Sequence, residues 1–174
     1  TECVAHVTDN AADLARLTPL PPALALLVSV RPVPLGDVTM DPDSRHERTD
    51  PVITRVMLAD AASRWAGDPW TALVVRTQPN DPGKQHRSYT GPCPAPYLAT
   101  DAVHWMVERG VTSLVVDLPS LDRADDGGAL AAHRAFWGLP PATQDTHQAQ
   151  RGRALVTEFA YIPDECADGL YLLD

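Results

Sequence analysis

Apolar residues in this chain fall in short runs separated by proline-rich polar stretches. "ALALLVSVRPV" (23–33) is nearly continuous in Ala, Leu and Val and predicts a buried strand. "TALVVRT" (71–77) and "TSLVVD" (112–117), rich in β-branched residues, predict two more. Helical spacing marks "ITRVMLADAASRW" (53–65), with Ile53, Val56, Met57, Ala61 and Trp65 along one side. "TDAVHWMVERG" (100–110) predicts a second helix, with Thr100 as N-cap and Gly110 as its stop. A short helix over "GGALAAHRAFWG" (127–138) puts Leu130, His133 and Trp137 on one face. "RALVTEFAYI" (153–162) and "GLYLLD" (169–174) close the pattern as two strands joined by the turn-rich "PDECAD".

The order strand 71–77, helix 101–109, strand 112–117 predicts a parallel, right-handed crossover. In such sheets ligands gather beyond the carboxyl ends of the strands. Two segments leave from that edge: the long proline-rich stretch 78–99, which predicts a structureless loop of functional length, and "DLPSLDR". "DPDSRHERTDP" (41–51) predicts a polar loop.

Length and composition narrow the picture. The 174 residues suit one domain, and 44% hydrophobic with 21% charged residues is ordinary for a globular protein. No window approaches the ~18–20 apolar residues of a membrane helix, and no basic leader precedes an apolar stretch. A net charge of −9 disfavours nucleic acid as a partner. Three widely spaced cysteines form no CxxC pair, which points to a reducing, cytoplasmic setting.

Five side chains stand out as chemistry. Glu158 lies in an apolar run, where a carboxylate finds a cation, donors or a metal unless it points to water at a sheet edge. His133 shares a helix face with leucine and tryptophan, as a core histidine or as a ligand. Glu2 and His6 at i, i+4 share one face in either a helix or a strand. Asp117, at the carboxyl end of a strand, either supports an active site or caps the following turn. Cys3 beside His6 lacks an identifiable oxyanion hole or orienting group for a thiol nucleophile. His46, His104 and His147 read as surface residues, whereas His86 and Tyr89 in the 78–99 loop are candidate substrate contacts.

These segments, in this order, resemble a known family. "PYL", "ERGVTSLVVDLPSLDR", "AAHRAFW", "LVTEF" and "DGLYLL" are similar to stretches of the metal-dependent cyclase/hydrolase family that includes bacterial kynurenine formamidase and is related to isatin hydrolase. The family signature is H-x-G-T-H-x-D-x-P-x-H, and "TECVAH" fits its tail, with Glu2 at the aspartate position, Val4 at the proline position and His6 as the closing histidine. A subgroup carries THTECVGH at this place, in keeping with the glutamate.

The resemblance implies an α/β fold of the swivelling β/α/β type, a single domain over 1–174 with a mixed sheet and flanking helices. It implies that the N-terminal part, with two signature histidines, and a last C-terminal strand lie outside the chain. Glu2, His133 and Glu158 would be metal ligands and His6 a nearby acid/base, with Asp117, His86 and Tyr89 in support. The cofactor would be a divalent metal, Zn²⁺ or Mn²⁺, as one ion or two. The reaction would be hydrolysis of a C–N bond in a formyl amide or cyclic amide of a small-molecule substrate, by a homodimer or higher homo-oligomer. A lactonase or esterase on the same site is one alternative; a binding protein without the metal is another.

Overall fold

A computed structural model describes residues 1–7, 21–39, 47–89 and 94–174. His46 and Cys93, and with them parts of the 41–51 and 78–99 stretches, lie outside the described residues. The strands are β1 (Ala23–Val30), β2 (Val33–Pro34), β3 (Pro51–Ile53), β4 (Ala72–Thr77), β5 (Tyr97–Leu98), β6 (Ser113–Val116), β7 (Leu155–Thr157) and β8 (Gly169–Leu173). The helices are α1 (Arg55–Ala62), α2 (Thr100–Glu108) and α3 (Ala131–Trp137).

The main sheet has the order β7-β6-β4-β1-β8. β1, β4, β6 and β7 run parallel, and β8 joins the β1 edge antiparallel. As expected of a crossover, β4 and β6 pair in parallel with α2 between them in sequence. The fold is therefore α/β with a mixed sheet flanked by helices. A small second sheet, β2-β3-β5, was not evident from the pattern because its strands are two or three residues long.

Alternate residues of each strand face the core. Leu26, Val28, Leu73, Val75, Leu114, Val116 and Val156 present one continuous apolar surface, against which Leu58, Met106, Phe136 and Trp137 of the helices pack. Parallel β4, β6 and β7 thus end at one edge, and the segments after Val116 and Thr157 leave together. That edge carries the candidate site.

Several expected boundaries move. α1 begins at Arg55, since Ile53 belongs to β3, and its inward residues are Leu58 and Ala62; Val56, expected inside, is 65% exposed. Ala99, not Thr100, is the N-cap of α2, and no side chain caps it; Gly110 stands just past its end at φ 76°. The 78–99 stretch carries a 3₁₀ turn at Pro82–His86, as well as β5. α3 starts only after Leu130, whose φ of 48° turns the chain into it. The strand expected over 153–162 stops at Thr157, because Phe159 takes a left-handed φ of 57° that breaks the pleat.

Candidate metal centre

Glu2 is fixed by pairing rather than by a helix. Its N–H donates to Val156 O at 2.6 Å and its carbonyl accepts from Val156 N–H at 3.1 Å, so residue 2 lies antiparallel to β7. The chain then curls into a 3₁₀ turn over Val4–Val7, closed by His6 N–H to Cys3 O at 2.9 Å. Buried Cys3 and Val7 anchor this curl and leave Glu2 Oε2 3.4 Å from His6 Nδ1. α3 brings His133 from the other side, in a helix whose Ala132, Phe136 and Trp137 fill the core. Trp137 Nε1 donates to Ala154 O at 2.8 Å, tying α3 to the segment that leads into β7. Glu158 is the first residue past β7.

The three elements converge on one atom, Nε2 of the fully buried His133. Glu158 Oε1 stands 3.3 Å from it and Glu2 Oε2 3.6 Å from it. On the opposite side of the ring Nδ1 lies 2.6 Å from Asp122 Oδ2. Asp122 also accepts the N–H groups of Ala132 at 2.6 Å and His133 at 3.2 Å, which fixes the first turn of α3 and the ring together. Glu158 is held as well, since its Oε1 accepts Leu121 N–H at 2.8 Å. The "PSLD" turn therefore orients two of the converging side chains.

Two of the converging atoms, His133 Nε2 and Glu2 Oε2, are buried and without a hydrogen-bond partner. Orphaned buried polar atoms are costly, and a pair aimed at one point calls for a shared partner. Ligand atoms ~2.1 Å from a tetrahedral cation stand about 3.4 Å apart. The separations of 3.3, 3.4 and 3.6 Å match that edge. Glu2, His6 and His133 offer ligand atoms all within 4.8 Å of one another. Two imidazoles and two carboxylates form the donor set that Zn²⁺ and Mn²⁺ accept. The residues present fit a divalent metal.

The electrostatics agree. Burial alone pulls the His133 pKa down, but the carboxylates of Asp122, Glu158 and Glu2 outweigh it and raise it to about 11. Glu2 is held below the ordinary carboxylate range, chiefly by His133, against the opposing effect of burial. The three carboxylates around this ring give the pocket a negative potential.

The structure thus brings together Glu2, His6, His133 and Glu158. Glu158 does not point to water: its side chain is 9% exposed and turned inward. Asp117 is not a member of the cluster. It is buried at the end of β6, where its Oδ2 accepts Thr77 N–H at 2.7 Å and pairs with Lys84 Nζ at 2.5 Å. His86 is exposed on the 3₁₀ turn, separate from the cluster, as are His104 on α2 and His147. Tyr89 meets Phe159 edge-on, with ring centroids 6.3 Å apart. Asp122 was missed as an orienting residue. Its signal was present as the closing aspartate of "DLPSLD", eleven residues before His133, but only the fold shows that the two touch.

This is an α/β domain with a candidate divalent-metal centre at the carboxyl edge of its sheet. Residues 1–123 match the sequence model of the Cyclase family, described as "Putative cyclase", and the chain belongs to that family. Glu2 and His6 lie in the matched stretch, while His133 and Glu158 lie beyond it. Among solved structures, one described as "The Structure Of Potential Metal-Dependent Hydrolase With Cyclase Activity" is 14% identical with a TM-score of 0.53, over 97% of this chain and 64% of that one. A second, described as a "predicted metal-dependent hydrolase from Bacillus stearothermophilus", is 13% identical with a TM-score of 0.48, over 97% and 62%. The chain spans less than two thirds of the length of either. The first shows a shared fold. No curated protein sequence matches the chain significantly.

Proposed function

We propose that this domain is a metal-dependent hydrolase that cleaves a C–N bond of a small formyl amide or cyclic amide, with Zn²⁺ or Mn²⁺ held by Glu2, His133 and Glu158. One observation carries it: His133 Nε2 and Glu2 Oε2, both buried and unpartnered, face each other with Glu158 beside them. A bound divalent ion would supply Lewis acidity, polarising the carbonyl under attack and acidifying a neighbouring water.

The chain's own residues supply the rest. Asp122 holds Nδ1 of His133, so that Nε2 is the nitrogen turned to the centre. Leu121 N–H keeps the Glu158 carboxylate in place. No comparable carboxylate anchors the other nitrogen of His6 among the described residues, and its side chain is 42% exposed. That freedom suits an acid/base at the mouth of the site rather than a locked ligand. An amide nitrogen leaves poorly unless it gains a proton, and His6 is placed to give one. This is why a C–N bond is favoured over an ester.

The test joins metal content with a substrate panel. Stoichiometric Zn or Mn should copurify, and hydrolysis of a formyl anilide or a cyclic amide should exceed that of a simple lactone. His133→Ala and Glu158→Ala should abolish both metal and activity. Activity that survives both substitutions in metal-free protein would refute the proposal. Lactone turnover above that of both amides would keep the metal and overturn the bond assigned.

A further inference from the structure

A second concavity lies beyond the ends of β6 and β7. It is a cavity of about 300 Å³ whose lining includes Lys84, Asp117, Tyr89, Phe159 and Tyr161. None of these belongs to the metal cluster, although Phe159 follows Glu158 directly in the chain.

Its polar floor is a buried ion pair with one atom left over. Lys84 Nζ donates to Asp117 Oδ2 at 2.5 Å, Thr77 Oγ1 at 2.5 Å and Thr77 O at 2.8 Å. All three ammonium donors are engaged. Asp117 Oδ2 is likewise occupied, by Lys84 and by Thr77 N–H. Asp117 Oδ1 is buried with no partner. The side chains of Lys84 and Asp117 are 5% and 2% exposed, so the floor is buried, charge-balanced and short of one donor.

Its wall contains an unusual residue. Phe159 holds a left-handed φ of 57°, which bulky side chains rarely adopt, yet the residue is 67% exposed. Core packing therefore does not explain why a phenylalanine occupies this conformation. The backbone enforces it from both sides, with Phe159 N–H on Leu118 O at 2.9 Å and Ala160 N–H on Val116 O at 3.0 Å. Strain kept by a surrounding lattice of bonds is typical of ligand clamps. The ring stands edge-on to Tyr89 and offers a flat surface at the cavity.

We propose that this cavity binds a small planar molecule carrying an N–H or O–H donor, its ring against Phe159 and Tyr89 and its donor on Asp117 Oδ1. The floor selects the donor, because an acceptor there would meet a bare carboxylate oxygen. It selects neutrality too: Lys84 already balances Asp117, and Arg87 is paired with Asp81 at 2.9 Å. The site needs no metal and stands apart from the hydrolase proposal.

The experiment uses the whole chain treated with chelator, so that its failure says nothing about the metal centre. Benzamide, planar with an N–H donor, and N,N-dimethylbenzamide, which lacks that donor, are titrated by heteronuclear NMR. Benzamide should shift resonances of Tyr89, Phe159 and Tyr161, and the dimethyl compound should bind roughly tenfold or more weakly. Phe159→Gly should weaken benzamide severalfold while the thermal midpoint stays level or rises, since glycine tolerates this φ. The double variant Lys84→Met/Asp117→Asn, which removes the pair without leaving a lone buried charge, should erase the preference between the two amides. Equal affinity for both amides, shifts away from these residues, or unchanged binding by Phe159→Gly would overturn the proposal. So would failure of both amides to bind, which would mark the cavity as a water pocket.

Discussion

Asp122 shows how much one carboxylate can set. Its two oxygens take two backbone N–H groups at the start of α3 and the Nδ1 of His133, so ring orientation and helix onset are one feature. Removing such a partner commonly costs a metal site ~10–100-fold in affinity. Asp122→Asn is therefore expected to bind Zn²⁺ at least about tenfold more weakly, read by competition with a chromophoric chelator, while circular dichroism shows α3 retained. Unchanged affinity would mean that packing against Trp137, 5.4 Å from the His133 ring, suffices to orient it. In the sequence, His133 and Glu158 announced themselves as polar residues in apolar runs. Asp122 did not, because an aspartate in a turn is unremarkable until its partner is known.

At the scale of elements, amphipathicity located α1 but misjudged its face. Val56 is 65% exposed, while Leu58 is fully buried against β1 and α2. Leu58→Ala should cost about 2–5 kcal/mol in urea unfolding, and Val56→Ala no more than about 0.5 kcal/mol. The turn between β6 and α3 depends on a second support. Arg123 Nε donates to Asp50 Oδ2 at 2.6 Å, and Asp50 is 1% exposed. Arg123→Met would leave that carboxylate buried without its cation, and a loss of about 3 kcal/mol is expected in the same measurement. Because Arg123 adjoins Asp122, the loss should be accompanied by weaker metal binding. Nothing in the sequence joined residue 50 to residue 123, since the two meet only where the small sheet abuts the turn.

For the whole molecule, an ion bound only by the folded state adds stability by mass action. At a free concentration of 100 times Kd this is about 2.7 kcal/mol, equivalent to roughly 5–10 °C in Tm for a chain of this length. Calorimetry before and after chelation should show a fall of that order, and His133→Ala should abolish the difference. The far edge of the sheet makes a separate claim. Among the described residues β8 pairs with β1, and Leu172 is 73% exposed on it. We propose that this exposed apolar strand meets a second copy of the chain. Sedimentation should show a homodimer or higher homo-oligomer that Leu172→Lys shifts toward monomer.

The sequence by itself determined the α/β class, the crossover through α2 and the edge at which the candidate site lies, because hydrophobic period and helix stops are local properties of the chain. It also marked Glu2, His6, His133 and Glu158 one by one. Tertiary structure alone decided that Glu2 and Glu158 meet at one nitrogen of His133, that Asp122 and Leu121 hold His133 and Glu158 there, and that Asp117 lines a different cavity. Those facts depend on which atoms remain unpartnered after burial. Burial is settled by how distant segments pack, and the spacing of residues along the chain does not encode it.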